Sequence, residues 1–195
     1  MRRSLIALLV AGLFSVTLVS PASAARPNTL FDVVDRTGEG FDSSLADFDV
    51  LEAAIRAAGL EGALLDEDVN WTVFAPRDSA FLRLARDLGY EGASDETAAF
   101  THIVEVLTVL GDGDPIPILT DVLLYHVSPW KLRSSQVLAR REINTLLGVN
   151  FKVRRGNVLV DNEPDIWNPR VIATDIGASN GIVHVLDRVL IPADL

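Results

Sequence analysis

Apolar residues recur at helical spacing through the first half of the chain. Phe48, Leu51, Ile55 and Ala58 fall on one face of a helix, and Gly59 follows them as a helix end. The same spacing predicts further helices over residues 28–34, 81–88, 98–110 and 118–125. We therefore expect a largely helical first half.

Short β-prone runs replace the helical spacing in the second half. They predict strands at residues 143–147, 149–154, 158–160, 171–174 and 182–191, the last with one more uniformly apolar face. Arg155, Gly156 and Asn157 suit a hairpin turn between the second and third of these runs. Helices followed by strands indicate an α+β fold and not alternating βαβ units.

The segment TVFAPRDSAF joins an apolar strand to a helix through a sharp corner. Val73 and Phe74 suit a buried strand, and Pro76 cannot donate a backbone hydrogen bond to a sheet. Asp78 is a favoured N-cap residue, and Phe81 begins the apolar stripe of the helix. We expect the Asp78 side chain to cap the helix that it begins.

This segment resembles the first signature of fasciclin domains, with Arg77 in place of the usual threonine. The segment NGIVHVLDRVLIP resembles the second signature, and residues 124–127 supply the leucine, tyrosine, histidine and valine between the two. The matching positions are Thr72, Val73, Phe74, Ala75, Pro76, Asp78 and Phe81 in the first signature, and Asn180, Gly181, His184, Asp187 and Pro192 in the second.

The resemblance extends over about residues 28–192 and carries expectations of its own. It implies the fasciclin-type fold, a wedge of two β-sheets with helices packed on one side. It also implies that the two signatures lie side by side as core strands.

The first 24 residues have the pattern of a secretory signal peptide. Arg2 and Arg3 precede an apolar run over residues 5–19, and Ala22, Ser23 and Ala24 suit a cleavage site. The alternative is an uncleaved anchor, but the run is shorter than the roughly 20 residues that span a bilayer. We expect a secreted or periplasmic product without membrane insertion, in which residues 25–195 form one domain with a helical elaboration near residues 95–110.

Composition narrows the classes of partner. The formal net charge of −10 disfavours nucleic acid and anionic lipid. The chain has no cysteine, so it cannot carry a bacterial lipoprotein anchor. Arginine predominates over lysine, and this together with the lack of cysteine suggests a bacterial protein.

Few residues offer catalytic or metal-binding chemistry. There is no nucleophile elbow or phosphate-binding glycine loop, and His102, His126 and His184 lie on separate predicted elements without a second ligand at zinc spacing. Two acidic loops, Asp112 with Asp114 and residues 161–165, have the composition of ordinary turns more than of calcium loops. We expect a protein that is not an enzyme and has no metal or cofactor.

Candidate binding residues come from one segment and two tryptophans. The resemblance associates the tyrosine-histidine element with adhesion and receptor contact, while a structural role for His126 at a helix end, where the protonated form would be favoured, is the alternative. The indoles of two loop-like segments suit protein or sugar contacts. The candidates are Leu123, Leu124, Tyr125, His126, Trp130 and Trp167.

These expectations combine into two hypotheses of function. The first is a non-catalytic interaction module for cell adhesion or extracellular-matrix association, with a protein or glycan partner at the cell surface or matrix. The second is an extracellular carrier of an apolar small molecule or glycan. The oligomeric state stays open in both.

Overall fold

A computed structural model describes residues 28–35, 40–42 and 44–193, so the predicted signal peptide lies outside the described residues. The described residues form seven helices and seven strands. The helices are α1 Leu30–Val34, α2 Asp49–Ala57, α3 Glu61–Leu65, α4 Asp78–Asp87, α5 Glu96–Leu110, α6 Ile116–Tyr125 and α7 Ser134–Ala139. The strands are β1 Trp71–Pro76, β2 Val127–Ser128, β3 Glu142–Ile143, β4 Phe151–Arg154, β5 Val158–Val160, β6 Val171–Ala178 and β7 Gly181–Leu186.

The two signature segments form the centre of a four-stranded sheet with the order β2-β1-β7-β6. Strands β1 and β7 run parallel over their whole length, from Trp71 opposite Gly181 to Pro76 opposite Leu186. A Cβ atom at Gly181 would lie 2.5 Å from the carbonyl oxygen of Trp71, so the close approach requires glycine. The expectation that the signatures are neighbouring strands is confirmed.

Each face of the central sheet is covered by a separate hydrophobic core. On one face, Val73 and Val183 pack with helices α1 to α6. On the other face, Phe74 and Leu186 pack with strands of the second sheet. All six residues of β7 are therefore buried, whereas the sequence pattern predicted that one face would be the more apolar.

The second sheet is three-stranded, with the order β3-β4-β5. The hairpin between β4 and β5 turns through Arg155, Gly156 and Asn157 as predicted, and the last two have positive φ angles of 81° and 60°. Phe151 of β4 meets Phe74 edge-on, with ring centroids 5.1 Å apart. The second core thus joins the two sheets of the wedge, and α7 packs beside β4.

Strand β6 forms one edge of the central sheet and is mostly exposed. Its pairing with β7 is interrupted between Val171 and Ala173 and again between Ala173 and Ile176. Within the second interruption, Asp175 has a φ angle of 60°. The amide and hydroxyl groups of Ser134 both donate hydrogen bonds to its carboxylate, so β6 is tied to the start of α7 at this irregularity.

Asp78 does not cap its own helix. It is the first helical residue of α4, whose N-cap position is Arg77, and its carboxylate accepts hydrogen bonds from the amides of Asp49 at 3.2 Å and Val50 at 2.9 Å. Those amides belong to the start of α2, where no N-cap side chain is available. The prediction that Asp78 caps its own helix was therefore wrong. Asp78 caps α2 and not α4, because the unpaired amides nearest its carboxylate belong to α2.

Asn180 of the second signature connects three segments. Its side-chain oxygen accepts a hydrogen bond from the amide of Leu30 at the start of α1. Its amide nitrogen donates to the carbonyls of Leu64 at 2.9 Å and Asp66 at 2.8 Å, at the end of α3. The side chain is buried, and the bonds with Leu30 and Leu64 form away from water.

Three short elements, α3, α7 and β2, were not predicted from the sequence, and the remaining differences concern element ends. The start of α1 is capped by Thr29, in a capping box with Asp32, and not by Asn28. Strand β3 has only two residues, and β7 ends at Leu186, short of the predicted limits. Helix α5 lies in the region of the predicted elaboration, and its Ile103 and Leu107 are buried in the helical core.

We predict that Asn180→Asp destabilises the protein by about 3 to 5 kcal/mol. The change preserves shape but places a carboxylate oxygen against the carbonyls of Leu64 and Asp66, where two donated bonds existed. Urea unfolding would measure the change in free energy. The exposed Asn144→Asp makes the same charge change and should cost less than about 0.5 kcal/mol. Equal costs for the two variants would refute the role of Asn180.

Candidate functional site

The predicted binding segment at the end of α6 faces both cores. Leu123 is buried in the helical core, and Tyr125 is buried between the two sheets. The Tyr125 hydroxyl donates to the carbonyl of Asn150, and burial is the main cause that raises the pKa of this hydroxyl. Leu124 is half-buried. The structure therefore places most of this segment inside the protein.

His126 is buried and fully hydrogen-bonded in its neutral form. Its Nε2 atom accepts a hydrogen bond from the amide of Leu190 at 2.9 Å, so the proton is on Nδ1, which donates to the carbonyl of Val122 at 2.7 Å. Burial lowers the pKa of His126 to about 4. The expectation that the helix end favours the protonated form was wrong, because loss of solvation outweighs the stabilising hydrogen bond to the Val122 carbonyl.

His184 repeats this arrangement on the second signature. Its Nδ1 atom accepts a hydrogen bond from the amide of Asp175 at 3.1 Å, and its Nε2 donates to the carbonyl of Leu132 at 2.9 Å. Burial lowers the pKa of His184 as well. Both histidines thus connect distant backbone segments and have no ring nitrogen left for another ligand.

The two candidate tryptophans are exposed. The side chain of Trp130 is 60% exposed after β2, and that of Trp167 is 78% exposed between β5 and β6. The loop that carries Trp130 is fixed by the buried Thr72, whose hydroxyl donates to the carbonyl of Trp130 at 2.6 Å and accepts from the amide of Leu132 at 2.8 Å. The first signature therefore fixes the backbone of the loop that carries an exposed indole.

A mixed polar and apolar cleft lies next to this loop. It has a volume of about 180 Å³ and is lined by side chains of α7, β6 and β7, including Ser134, Thr174 and His184. Ser134 is only four positions after Trp130. The loop adjoins the cleft at two points, through Ser134 at the start of α7 and through His184, which donates to the carbonyl of Leu132.

A second depression, on the helical side of the sheet, is almost wholly apolar. Leu51, Leu64, Leu123 and Leu124 line it, together with His126. Its volume of about 60 Å³ is less than half of the roughly 150 Å³ in which an engineered apolar cavity binds benzene. In this conformation the depression is too small for an apolar ligand of ordinary size.

The two acidic loops of the sequence have structural roles. Asp112 has a φ angle of 52°, and the Asp114 carboxylate accepts the amide of Ile116 at 3.0 Å at the start of α6. Asp161 accepts the amide of Ile191 at 3.0 Å, and burial raises the pKa of Asp161 to about 6. Asp187 of the second signature similarly accepts the amide of Arg170 at 2.7 Å.

A different group of carboxylates converges where three helices begin. We define it as the acidic cluster: Asp42, Asp47, Asp49, Asp78 and Glu96. Candidate ligand atoms of Asp47, Asp78 and Glu96 lie within 4.8 Å of one another, as do those of Asp42, Asp49 and Glu96. Burial raises the pKa of Asp78 to about 8 and that of Glu96 to about 7.

No sequence pattern pointed to this cluster. Its members come from the segment before α2 and from the first residues of α2, α4 and α5, so their spacing matches no contiguous metal-binding loop. Acidic residues near helix starts, such as Asp49, Asp78 and Glu96, gave no distinct signal, because ordinary helix starts contain them as well. Among the described residues, no helix has the length and apolar character to cross a membrane.

Comparisons with known proteins give consistent matches. The model of the fasciclin domain matches residues 46–192. Protein sll1483 of Synechocystis sp. is 35% identical over 147 residues, which cover 74% of this chain and 67% of that protein. The transforming growth factor-beta-induced protein ig-h3 of Sus scrofa is 29% identical over 147 residues, covering 74% of this chain but only 18% of that protein.

A solved structure shares the fold. It is a FAS1 domain pair from the insect cell adhesion molecule Fasciclin I, with a TM-score of 0.53 and 15% identity, and the match covers 84% of this chain and 50% of that one. The predicted α+β wedge is confirmed by this structural match.

Human periostin is a further relative by sequence. It is 25% identical over 173 residues, which cover 85% of this chain and 18% of periostin.

We predict that the free-energy cost of His126→Gln decreases by about 2.5 kcal/mol between pH 7.5 and pH 4.5. The folded pKa of about 4 lies below the unfolded value of 6.5, so the wild-type histidine loses its stabilising effect as pH falls through this range. Urea unfolding of both proteins at the two pH values measures the difference. An equal cost at both values would show that His126 is not held neutral.

Proposed function

Because the chain belongs to the fasciclin domain family, we propose that it is an extracytoplasmic, non-catalytic interaction module that binds a protein or glycan at the cell surface or matrix. The mature module comprises residues 25–195 after removal of the leader. The solved structure that shares the fold comes from a cell adhesion molecule, which supports an adhesive role for this chain.

One observation favours a specific contact surface. The exposed indole of Trp130 lies on a loop that is attached to the central sheet by two hydrogen bonds of the Thr72 hydroxyl. An aromatic side chain on a fixed backbone loses little conformational entropy on binding, and tryptophan is enriched at the energetic centres of interfaces. We place the primary contact at Trp130 and the adjoining cleft, with Trp167 as a second candidate anchor.

Buried residues of the core between the two sheets support the Trp130 loop. Leu132, two positions after Trp130, lies in the core between the sheets, and its carbonyl accepts the hydrogen bond of His184. Tyr125 packs edge-on against Phe151 in the same core, with ring centroids 5.8 Å apart. Tyr125 and His184 in this proposal act as a rigid support, and the partner touches the loop.

The carrier hypothesis has one supporting observation, the apolar depression that includes Leu123 and Leu124. Its small volume favours the interaction module as the primary function. A carrier would have to enlarge the depression between α2 and α3 to enclose a ligand.

We predict that Trp130→Ala weakens binding to cell-envelope extracts or to positive members of a glycan array at least 10-fold. Thr72→Val removes both hydrogen bonds that hold the loop while leaving the indole, and it should weaken binding by a smaller factor. Surface-immobilised mature protein, with each variant at matched folded concentration, would be the assay.

The matched control for this experiment is Val109→Ala. Val109 is 79% exposed on α5, and its change removes apolar surface on a helical element without affecting the Trp130 loop. Binding by this variant should equal that of the wild type. If Trp130→Ala and Trp167→Ala also bind like the wild type, the proposed surface is refuted.

A further substitution distinguishes the carrier. Ala63 is exposed and lines the apolar depression, so Ala63→Phe should fill it. We predict unchanged binding to the surface partner, and no apolar molecule in mass spectra of extracts from the purified wild type. A co-purifying molecule that is lost in Ala63→Phe would instead establish the carrier function.

A further inference from the structure

Three helices begin at one place, and each begins with an acidic residue. Asp49, Asp78 and Glu96 are the first residues of α2, α4 and α5, and all three side chains are buried. Asp78 uses both carboxylate oxygens on the amides at the start of α2. The need for a helix cap thus accounts for Asp78 but not for its neighbours.

The other carboxylates have oxygens without partners. Both oxygens of Asp49 lack a hydrogen bond, although its residue surface is only 3% exposed. One oxygen of Asp47 and Oε1 of Glu96 are also unpaired, while Oε2 of Glu96 accepts the amide of Asp42 at 3.2 Å. Buried polar atoms normally have partners, so these oxygens point to a missing positive ligand.

Within the described ranges, no ion pair joins a basic side chain to the acidic cluster. The ion pairs found there join arginines to other acids, namely Asp35, Glu52, Glu61 and Asp87. Three helix starts contribute roughly +1.5 charges in total, which compensates only part of the cluster when its carboxylates are ionised to bind a cation. A divalent cation would supply the remainder.

We propose that Asp42, Asp49 and Glu96, with Asp47 beside them, bind a calcium ion. Candidate ligand oxygens of the first three lie within 4.8 Å of one another, which suits oxygens on opposite sides of an ion with ligand distances of about 2.4 Å. The cluster has no histidine or cysteine, so its donors suit a hard cation and not zinc or copper.

Calcium fits this donor set better than magnesium. Calcium accepts six to eight oxygens in irregular geometry, including bidentate carboxylates, whereas magnesium requires near-octahedral geometry and retains several waters. Asp42 is exposed and opens the cluster to solvent, while the other ligands are buried. The ion would join the segment before α2 to the starts of α2 and α5.

The test is calcium-dependent stability of the mature chain after treatment with EGTA. Addition of 10 mM calcium chloride should raise Tm by about 3 to 10 °C, as expected for a Kd of about 10⁻³ to 10⁻⁴ M. Magnesium chloride at equal concentration should produce a clearly smaller rise. Isothermal titration calorimetry should give one calcium per chain.

Asp49→Asn and Glu96→Gln should abolish the calcium-dependent rise. Asp95→Asn is the matched control, because Asp95 is adjacent to Glu96 but exposed, and asparagine can still cap α5; this variant should respond like the wild type. Asp42→Asn changes an exposed ligand without burying a new group, and should weaken calcium binding at least 10-fold with the fold intact.

Several results would overturn the site. They are an unchanged wild-type Tm in 10 mM calcium, a full calcium response in Asp49→Asn and Glu96→Gln, or a full response in Asp42→Asn if the first two variants do not fold. An equal response to magnesium would overturn the assignment to calcium.

Discussion

The parallel pairing of β1 with β7 is the constraint on which the rest of the structure depends. Parallel strands buried on both faces need cover on each side, and here the helices supply one cover and the three-stranded sheet supplies the other. Val73 and Phe74 are adjacent in sequence but belong to different cores for this reason. The wedge thus results from covering both faces of the β1–β7 pair, one with helices and the other with the second sheet.

Buried polar side chains make this double burial possible. Asn180, His126 and His184 each satisfy backbone groups from segments far apart in sequence, so they fasten the helices and loops to the sheet. Thr72 does the same for the Trp130 loop. The presence of these polar residues in the core therefore has a physical explanation that does not involve a binding partner. Each one satisfies backbone groups that the irregular segments would otherwise leave unpaired.

The sequence allowed local structure to be predicted better than long-range contacts. The turn at Arg155 to Asn157 and the main helices follow from turn chemistry and apolar spacing, and the adjacency of the signatures followed from family resemblance. The capping target of Asp78 did not follow, since α2 begins 29 positions earlier. The acidic cluster was missed because its carboxylates meet only after three helices pack. The charge state of His126 was predicted wrongly because the sequence pattern of a helix end does not reveal burial.

The interrupted edge strand β6 has a consequence for contacts between copies of the protein. A flat edge offers a row of free backbone groups to a neighbouring copy, and repeated pairing of this kind leads to aggregation. The two pairing irregularities, with Asp175 turned into the left-handed region and tied to Ser134, break that row. The β6 edge is therefore a poor template for pairing with the sheet of a second copy.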